Sequence, residues 1–223
     1  MKNLFQNKNL AISVGAAILF FAVIGIENLP NERIAKSLTP VPITILKTAE
    51  DIFESKQLEE GLILCRQEKY QESINFYTEF LKENPKNEIA YNRRGNVYLR
   101  LKQYDAAMAD YNKAIALNPD YWKAYNNRGN AYFELKLYES ALADYNRVIE
   151  LNPNLDYTFY NRGNTFAKLE NYEAAISDYN RAIEMNPNYS EVYNNRGICY
   201  KRLGENEKAN SDFAKAKQFV YNN

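Results

Sequence analysis

Apolar residues fall along this chain in stripes of helical spacing, and the stripes come in pairs. Tyr91, Gly95, Tyr98 and Leu101 make one stripe; Tyr104, Ala107, Met108, Tyr111, Ala114 and Ile115 make the next. Steps of three and four residues put side chains on one face of an α-helix. Lys102-Gln103 lies between the stripes and reads as a short turn. Pro119 cannot continue a helix, and it disfavours helix in Asn118 before it. The pattern therefore predicts helix A, turn, helix B, then a break. Asp120, Asn154 and Asn188 stand where the helix after each break calls for an N-cap.

The pair is periodic. Gly61, Gly95, Gly129, Gly163 and Gly197 are each 34 residues from the last, and Pro85, Pro119, Pro153 and Pro187 keep the interval. With the glycine at position 8, the units cover residues 54–87, 88–121, 122–155, 156–189 and 190–221. A hairpin of two helices cannot bury its apolar face alone, so a fixed period predicts stacked hairpins. Gly95 on helix A is expected to cross helix B against Ala107.

This pattern resembles the tetratricopeptide repeat. The third unit supplies Tyr125, Gly129, Tyr132, Ala141, Tyr145, Val148 and Pro153 at the signature positions 4, 8, 11, 20, 24, 27 and 32. The fourth supplies Phe159, Gly163, Phe166, Ala175, Tyr179, Ala182 and Pro187. The first unit departs most, with Gln57, Ser73 and Phe80 at positions 4, 20 and 27. The resemblance implies an all-α fold: a right-handed superhelix of five helix-turn-helix repeats, here preceded by one N-terminal hydrophobic helix.

A charge pair is written into four units. Arg94, Arg128, Arg162 and Arg196 hold position 7, and Asp110, Asp144, Asp178 and Asp212 hold position 23. The first unit lacks both, with Glu60 and Phe76. Identities that change together suggest contact, so a structural Arg–Asp bridge within each unit is expected. The alternative is an arginine row that binds phosphate or nucleic acid.

Helix B carries apolar residues at positions 21 and 28 in the first four units, from Ile74 and Leu81 to Ile176 and Ile183. In the fifth these become Asn210 and Lys217, a polar cap for the stack. Phe219, Val220 and Tyr221 are expected to fold back on the last helix pair.

The resemblance also implies a concave groove lined by helices A, in which an extended peptide or partner helix lies. Its groove positions 2, 5, 6, 9, 12 and 13 place Asn92, Asn96, Asn126, Asn127, Asn130, Asn161, Asn164, Asn194 and Asn195 there, with Phe133, Tyr157 and Tyr160 nearby. A side-chain amide offers both donor and acceptor, which suits a peptide backbone. The bland alternative is an asparagine-rich composition unrelated to any ligand. The family's clamp for heat-shock chaperone tails matches at Asn96 and Asn127, but its basic positions hold Asn92, Tyr157 and Asn161. No such tail is expected as a partner.

Residues 10–26 form a run of 17 without a charge. As a helix it covers roughly 25 Å of a roughly 30 Å hydrocarbon layer. The expected organisation is an anchor or signal segment over 1–28, a tether over 29–47 containing Pro30, Pro40 and Pro42, and the repeat domain over 48–221. A helix is expected to begin near Thr48, with Asp51 at capping distance. An uncleaved membrane anchor is the first reading. A cleaved signal, leaving a secreted or periplasmic subunit, and a helix buried in a partner are the alternatives. The basic tail, Lys2 and Lys8, favours repeats on the non-cytoplasmic side of a bacterial membrane.

Composition removes whole classes of chemistry. There are 28 basic and 28 acidic residues, so net charge gives no case for nucleic acid. There is no histidine, hence no His-based acid–base or nucleophile pair and no histidine metal site. Cys65 and Cys199 lie four units apart and form no metal spacing. Cofactors and catalysis are not expected. The sequence points to a non-catalytic scaffold for a protein or peptide partner, with a structural self-association module as the alternative.

Overall fold

The computed structural model describes residues 58–221, with the side chains of Val220 and Tyr221 left aside. The anchor segment, the tether and the Thr48 helix start lie outside the described residues. The chain divides into two compact units, Met1–Ile63 and Leu64–Asn223. Residues 58–66 are helical. The second unit carries the helices that follow, and no strand occurs among the described residues.

Helix α1 (Tyr70–Glu83) is the B helix of the first repeat. Four A/B pairs follow: α2 (Glu88–Arg100) with α3 (Tyr104–Leu117), α4 (Trp122–Glu134) with α5 (Tyr138–Leu151), α6 (Asp156–Lys168) with α7 (Tyr172–Met185), and α8 (Ser190–Arg202) with α9 (Asn206–Tyr221). Each pair packs internally and then against its neighbours in order, the topology of a superhelical repeat array.

Every A–B turn closes alike. The amide of Leu137 donates to the Tyr132 carbonyl at 2.9 Å, and Gln103, Asn171 and Glu205 repeat the bond onto Tyr98, Phe166 and Tyr200. This six-to-one closure needs a left-handed residue just past the helix. Lys102, Lys136 and Glu170 supply it at φ of 56°, 61° and 59°, and Gly204 does so at 79°.

The breaks between repeats differ from expectation. Asn87 caps α2, accepting from the Ala90 amide at 2.8 Å. Asp120, Asn154 and Asn188 are not caps: Tyr121, Leu155 and Tyr189 occupy that place with no side-chain cap bond. The chain turns tightly after each proline, so the helix starts one residue later. Instead, Asn118 and Asn152 fold their side-chain oxygens onto the amides of Asp120 and Asn154, at 3.1 and 3.4 Å. The Asn118 Nδ2 also donates to Glu88 at 3.1 Å and the Asn186 Nδ2 to Asp156 at 3.0 Å, tying these two breaks to the start of their own repeats.

The core is a file of tyrosines. Tyr77, Tyr111, Tyr145 and Tyr179, all at position 24, are at most 1% exposed. A Cβ placed on Gly95, Gly129 or Gly163 would lie 2.7, 2.9 or 2.8 Å from the Cε1 of the tyrosine in the same repeat. The crossing expected between Gly95 and Ala107 is thus closed by the Tyr111 ring, and Ala107 contributes its carbonyl oxygen at 3.3 Å. At the last repeat Asn210 and Lys217 are exposed, and Phe219 packs against Tyr193 with ring centroids 5.6 Å apart. Among the described residues no helix is long and apolar enough to cross a membrane.

Candidate functional site

Helix A carries two sets of polar side chains, and they make different bonds. The first set is the arginines at position 7. Arg128 donates from Nε and Nη2 to the two carboxylate oxygens of Asp144, at 2.8 and 2.7 Å. Arg94–Asp110, Arg162–Asp178 and Arg196–Asp212 repeat the fork, with every bond at 2.7 or 2.8 Å. The carboxylate side chains are only 4–7% exposed. The remaining guanidinium nitrogen reaches back to the preceding repeat: Arg94 to Thr78, Arg128 to Asn112, Arg162 to Asn146 and Arg196 to Asn180, at 3.0, 2.6, 2.7 and 2.5 Å. Each guanidinium also lies over two rings of its own helix, as Arg128 does over Tyr125 and Tyr132 at 5.5 and 5.9 Å. The hydrogen bond to Asp144 raises the Arg128 pKa further against the cost of burial. Each of these arginines has its charge matched by its own buried carboxylate and three of its five N–H donors engaged, which leaves no free cation row for phosphate.

The second set is the asparagines. Tyr111, Tyr145 and Tyr179 donate their hydroxyls to the Oδ1 atoms of Asn96, Asn130 and Asn164, at 2.8, 2.7 and 2.7 Å. Asn161 and Asn195, at position 6, donate across to Asn130 and Asn164 of the preceding repeat, at 3.2 and 2.8 Å. Asn127 instead donates to Asn92 at 2.9 Å. Burial raises the tyrosine pKa values well above the ordinary phenol range, so all three hydroxyls keep their protons.

The twelve residues expected in the groove therefore separate. Asn92 and Asn126 are 4% and 8% exposed, inside the helix packing and not in the groove wall. The reason is position 5, which points at the next helix A and not outward. The Oδ1 of Asn126 has no partner among the described residues, because Asn161 takes Asn130 in its place. Tyr160 packs against Tyr189 with tilted rings and centroids 5.1 Å apart, and burial first, then the Tyr160 phenol, pushes the Tyr189 phenol up to about 12. Tyr157 is half-buried at the start of α6, its pKa likewise raised by burial. Asn194 is exposed at the last repeat, its Nδ2 at 3.4 Å from the Asn195 oxygen.

Asn130, Asn161 and Asn164 come together with Phe133 around an open cavity of about 280 Å³, whose walls also include Leu99, Glu134 and Tyr145. Asn96, Asn130 and Asn164 spend their oxygens internally. Their Nδ2 groups make no hydrogen bond within the described chain and are not among its buried unpartnered atoms, so these half-buried residues keep an Nδ2 that reaches solvent at least in part. At Asn130 and Asn164 the wall offers donors, since both oxygens are taken twice within the chain, while the Asn161 oxygen and the Glu134 carboxylate add acceptors beside them. A larger hollow of about 450 Å³ lies against α7, lined by Arg162, Asp178, Asn180, Arg181, Glu184, Phe159 and Ser177. Its Arg162 and Asp178 are bonded to each other, and Asn180 to Arg196, which leaves little for a ligand.

Sequence reasoning missed the tyrosine hydroxyls and the acceptors at position 25. The signal was present: position 25 reads Thr78, Asn112, Asn146 and Asn180, and becomes Ala214 in the fifth repeat. Both cysteines are free; burial pushes the Cys199 thiol up to about 11, away from thiolate chemistry.

Comparison with known proteins agrees with this architecture. A tetratricopeptide repeat model matches residues 122–155 and 157–189, a second of the same description matches 76–109 and 178–209, and a TPR repeat model matches 95–136. No curated protein matches the chain in sequence. Among solved structures, a crystal structure of MamA is 23% identical, covers 73% of this chain and 95% of its own, and superposes with a TM-score of 0.68. MamA from Desulfovibrio magneticus RS-1, residue 41 to its end, is 18% identical over 75% and 95%, with a TM-score of 0.69. YrrB, described as a TPR protein with an unusual peptide-binding site, is 23% identical over 76% and 90%, with a TM-score of 0.62. The 34-residue period, the stacked hairpins and the family models coincide from residue 76 to residue 209, and the chain belongs to the tetratricopeptide repeat family.

Proposed function

We propose that this protein is a non-catalytic scaffold that holds an extended peptide, or a partner's extended segment, along the face formed by α2, α4, α6 and α8. Residues 10–26 would tether it to a membrane, with the repeats on the non-cytoplasmic side. The observation that carries this reading is the row of solvent-reaching amide donors on Asn96, Asn130 and Asn164, pinned in orientation by buried tyrosines beside a cavity of side-chain size. Fixed donors one repeat apart suit the carbonyl oxygens of an extended chain, and their rigidity lowers the entropic cost of binding. Each bond contributes about 0.5–1.5 kcal/mol, so micromolar affinity is the expected range. The structural likeness to YrrB is in keeping with this reading.

Asparagine to aspartate inverts the donor and adds a charge, and asparagine to alanine removes the amide without one. Asn130→Asp/Asn164→Asp keeps an oxygen for Tyr145, Tyr179, Asn161 and Asn195, replaces the outward NH2 by an acceptor and adds a negative charge at each site, so Asn130→Ala/Asn164→Ala is run beside it to separate the lost donor from the added charge. A peptide array probed with the full chain in neutral detergent should yield binders that both variants lose by about tenfold or more. Binders that the alanine variant retains in full would sink the groove assignment.

A further inference from the structure

The charge of the chain is balanced overall but not on this face. The cavity is walled by positions 6, 9, 12 and 13 of helix A, as Asn161, Asn130, Phe133 and Glu134 show. On α2, α4, α6 and α8 those positions carry five cations, Arg93, Arg100, Lys168, Lys201 and Arg202, against one carboxylate, Glu134. Leaving Arg93 aside, the four cations Arg100, Lys168, Lys201 and Arg202 against Glu134 give the face a surplus of three positive charges on a chain whose 28 basic and 28 acidic residues cancel. Arg100, Lys168, Lys201 and Arg202 are exposed, and none of the four enters an ion pair among the described residues. The position-7 arginines, by contrast, are all consumed by their aspartates.

We propose that this face takes an acidic peptide segment, its carboxylates drawn to the basic residues at the two ends of the groove and its backbone carbonyls to the amide row between. The proposal rests on the groove reading above and adds the chemistry of the occupant. Two independent features favour it. The oxygens of Asn130 and Asn164 are each taken by two donors of the chain while their Nδ2 groups are not, so at these two positions the row leans toward donors and suits a ligand rich in acceptors. The cations stand at opposite ends, Arg93 and Arg100 on α2, and Lys168, Lys201 and Arg202 on α6 and α8. Glu134 sits between them, its carboxylate accepting from the Tyr104 hydroxyl at 3.0 Å. A carboxylate in the middle of the wall repels a continuous phosphate backbone but tolerates a peptide that places its acidic residues to either side. That argues for peptide over nucleic acid, as does a cavity sized for a side chain.

The test is fluorescence anisotropy with the full chain in neutral detergent. Three labelled peptides of about twelve residues share one Gly/Ser frame and carry Glu, Gln or Lys at the variable positions. The Glu peptide should bind at least about tenfold more tightly than the Gln peptide, and the Lys peptide most weakly. Added salt should narrow the difference. Arg100→Glu/Lys168→Glu should cut Glu-peptide affinity about tenfold while leaving the Gln peptide and the thermal melt unchanged, and Glu134→Gln should raise it about two- to threefold. A Lys peptide that binds as well as the Glu peptide, a charge reversal without effect, or a single-stranded oligonucleotide that outcompetes the Glu peptide would each overturn the proposal. If the Gln peptide binds equally and Asn130→Asp/Asn164→Asp still abolishes it, the groove stands and the acidic occupant falls. If no peptide binds, both fall.

Discussion

One flank of helix A is the same in every complete repeat, and the other is not. At position 7 four arginines repeat one geometry, with both forked bonds at 2.7–2.8 Å, a third bond to the preceding repeat and two rings against the guanidinium. At position 9 three asparagines keep the same tyrosine, but the position-6 amides that cross to the preceding repeat change partners. Asn127 holds Asn92, Asn161 holds Asn130, and an acceptor on Asn126 goes unused. A bond set that is charge-matched and identical serves the stack, because each repeat needs the same fastening to the next. A set that varies, ends in open donors and borders a cavity has capacity for something outside the chain.

The largest expected effect comes from breaking the invariant flank. Removing one partner leaves the other charge buried, at a cost of about 3–5 kcal/mol. Asp144→Ala and Arg128→Leu should each lower the urea midpoint accordingly. The double variant should cost less than the sum, with a coupling energy above about 1.5 kcal/mol. Additive losses would mean that the fork contributes no interaction of its own. Asn161→Ala on the variable flank should cost only about 0.5–1.5 kcal/mol.

Alkaline pH sharpens the contrast. The hydroxyls of Tyr111, Tyr145 and Tyr179 donate into the amide row, and burial raises their pKa in the folded protein. Unfolded tyrosines lose their protons near pH 10, while the folded ones retain theirs. The unfolded state then binds fewer protons, so stability falls as pH rises. Three phenols give a slope of about 4 kcal/mol per pH unit above about pH 10. No histidine is present to add a transition near neutrality. Urea titrations at pH 8, 10 and 11 measure the slope. Tyr157, Tyr189 and Cys199, also raised by burial, add to that slope, so Tyr145→Phe should remove about 1.4 kcal/mol per pH unit, and an unchanged slope would remove that phenol from the account.

The glycine and proline period made the fold legible, because 34-residue spacing and two stripes per period admit few architectures. The Arg–Asp pairing could be read because two identities change together between the first repeat and the rest. The amide row was only half legible. A sequence shows that Asn130 recurs, but not that the Tyr145 hydroxyl takes its oxygen, since the two meet only when helix B folds back on helix A. The same limit explains Asn92 and Asn126. Their place on the helix face was visible, while the next helix that buries them was a matter of packing. Residues 10–26 present the opposite case: composition speaks there, and the described residues do not include it.

The smallest effect belongs to the turns, and it isolates backbone from side chain. Lys102, Lys136 and Glu170 occupy the left-handed region that Gly204 occupies in the last repeat. Nothing lies within 4 Å of a Cβ built on Gly204, so any preference there arises from the backbone alone. A side chain pays for a left-handed conformation that glycine adopts freely, offset by the greater entropy of glycine in the unfolded chain. Lys136→Gly should therefore stabilise the array by about 0.5–1 kcal/mol, and Gly204→Lys should destabilise it by a similar amount. Because these turns touch neither flank of helix A, peptide affinity should stay constant in both variants while thermal stability moves. A change in affinity would mean that the turns position the groove as well as close it.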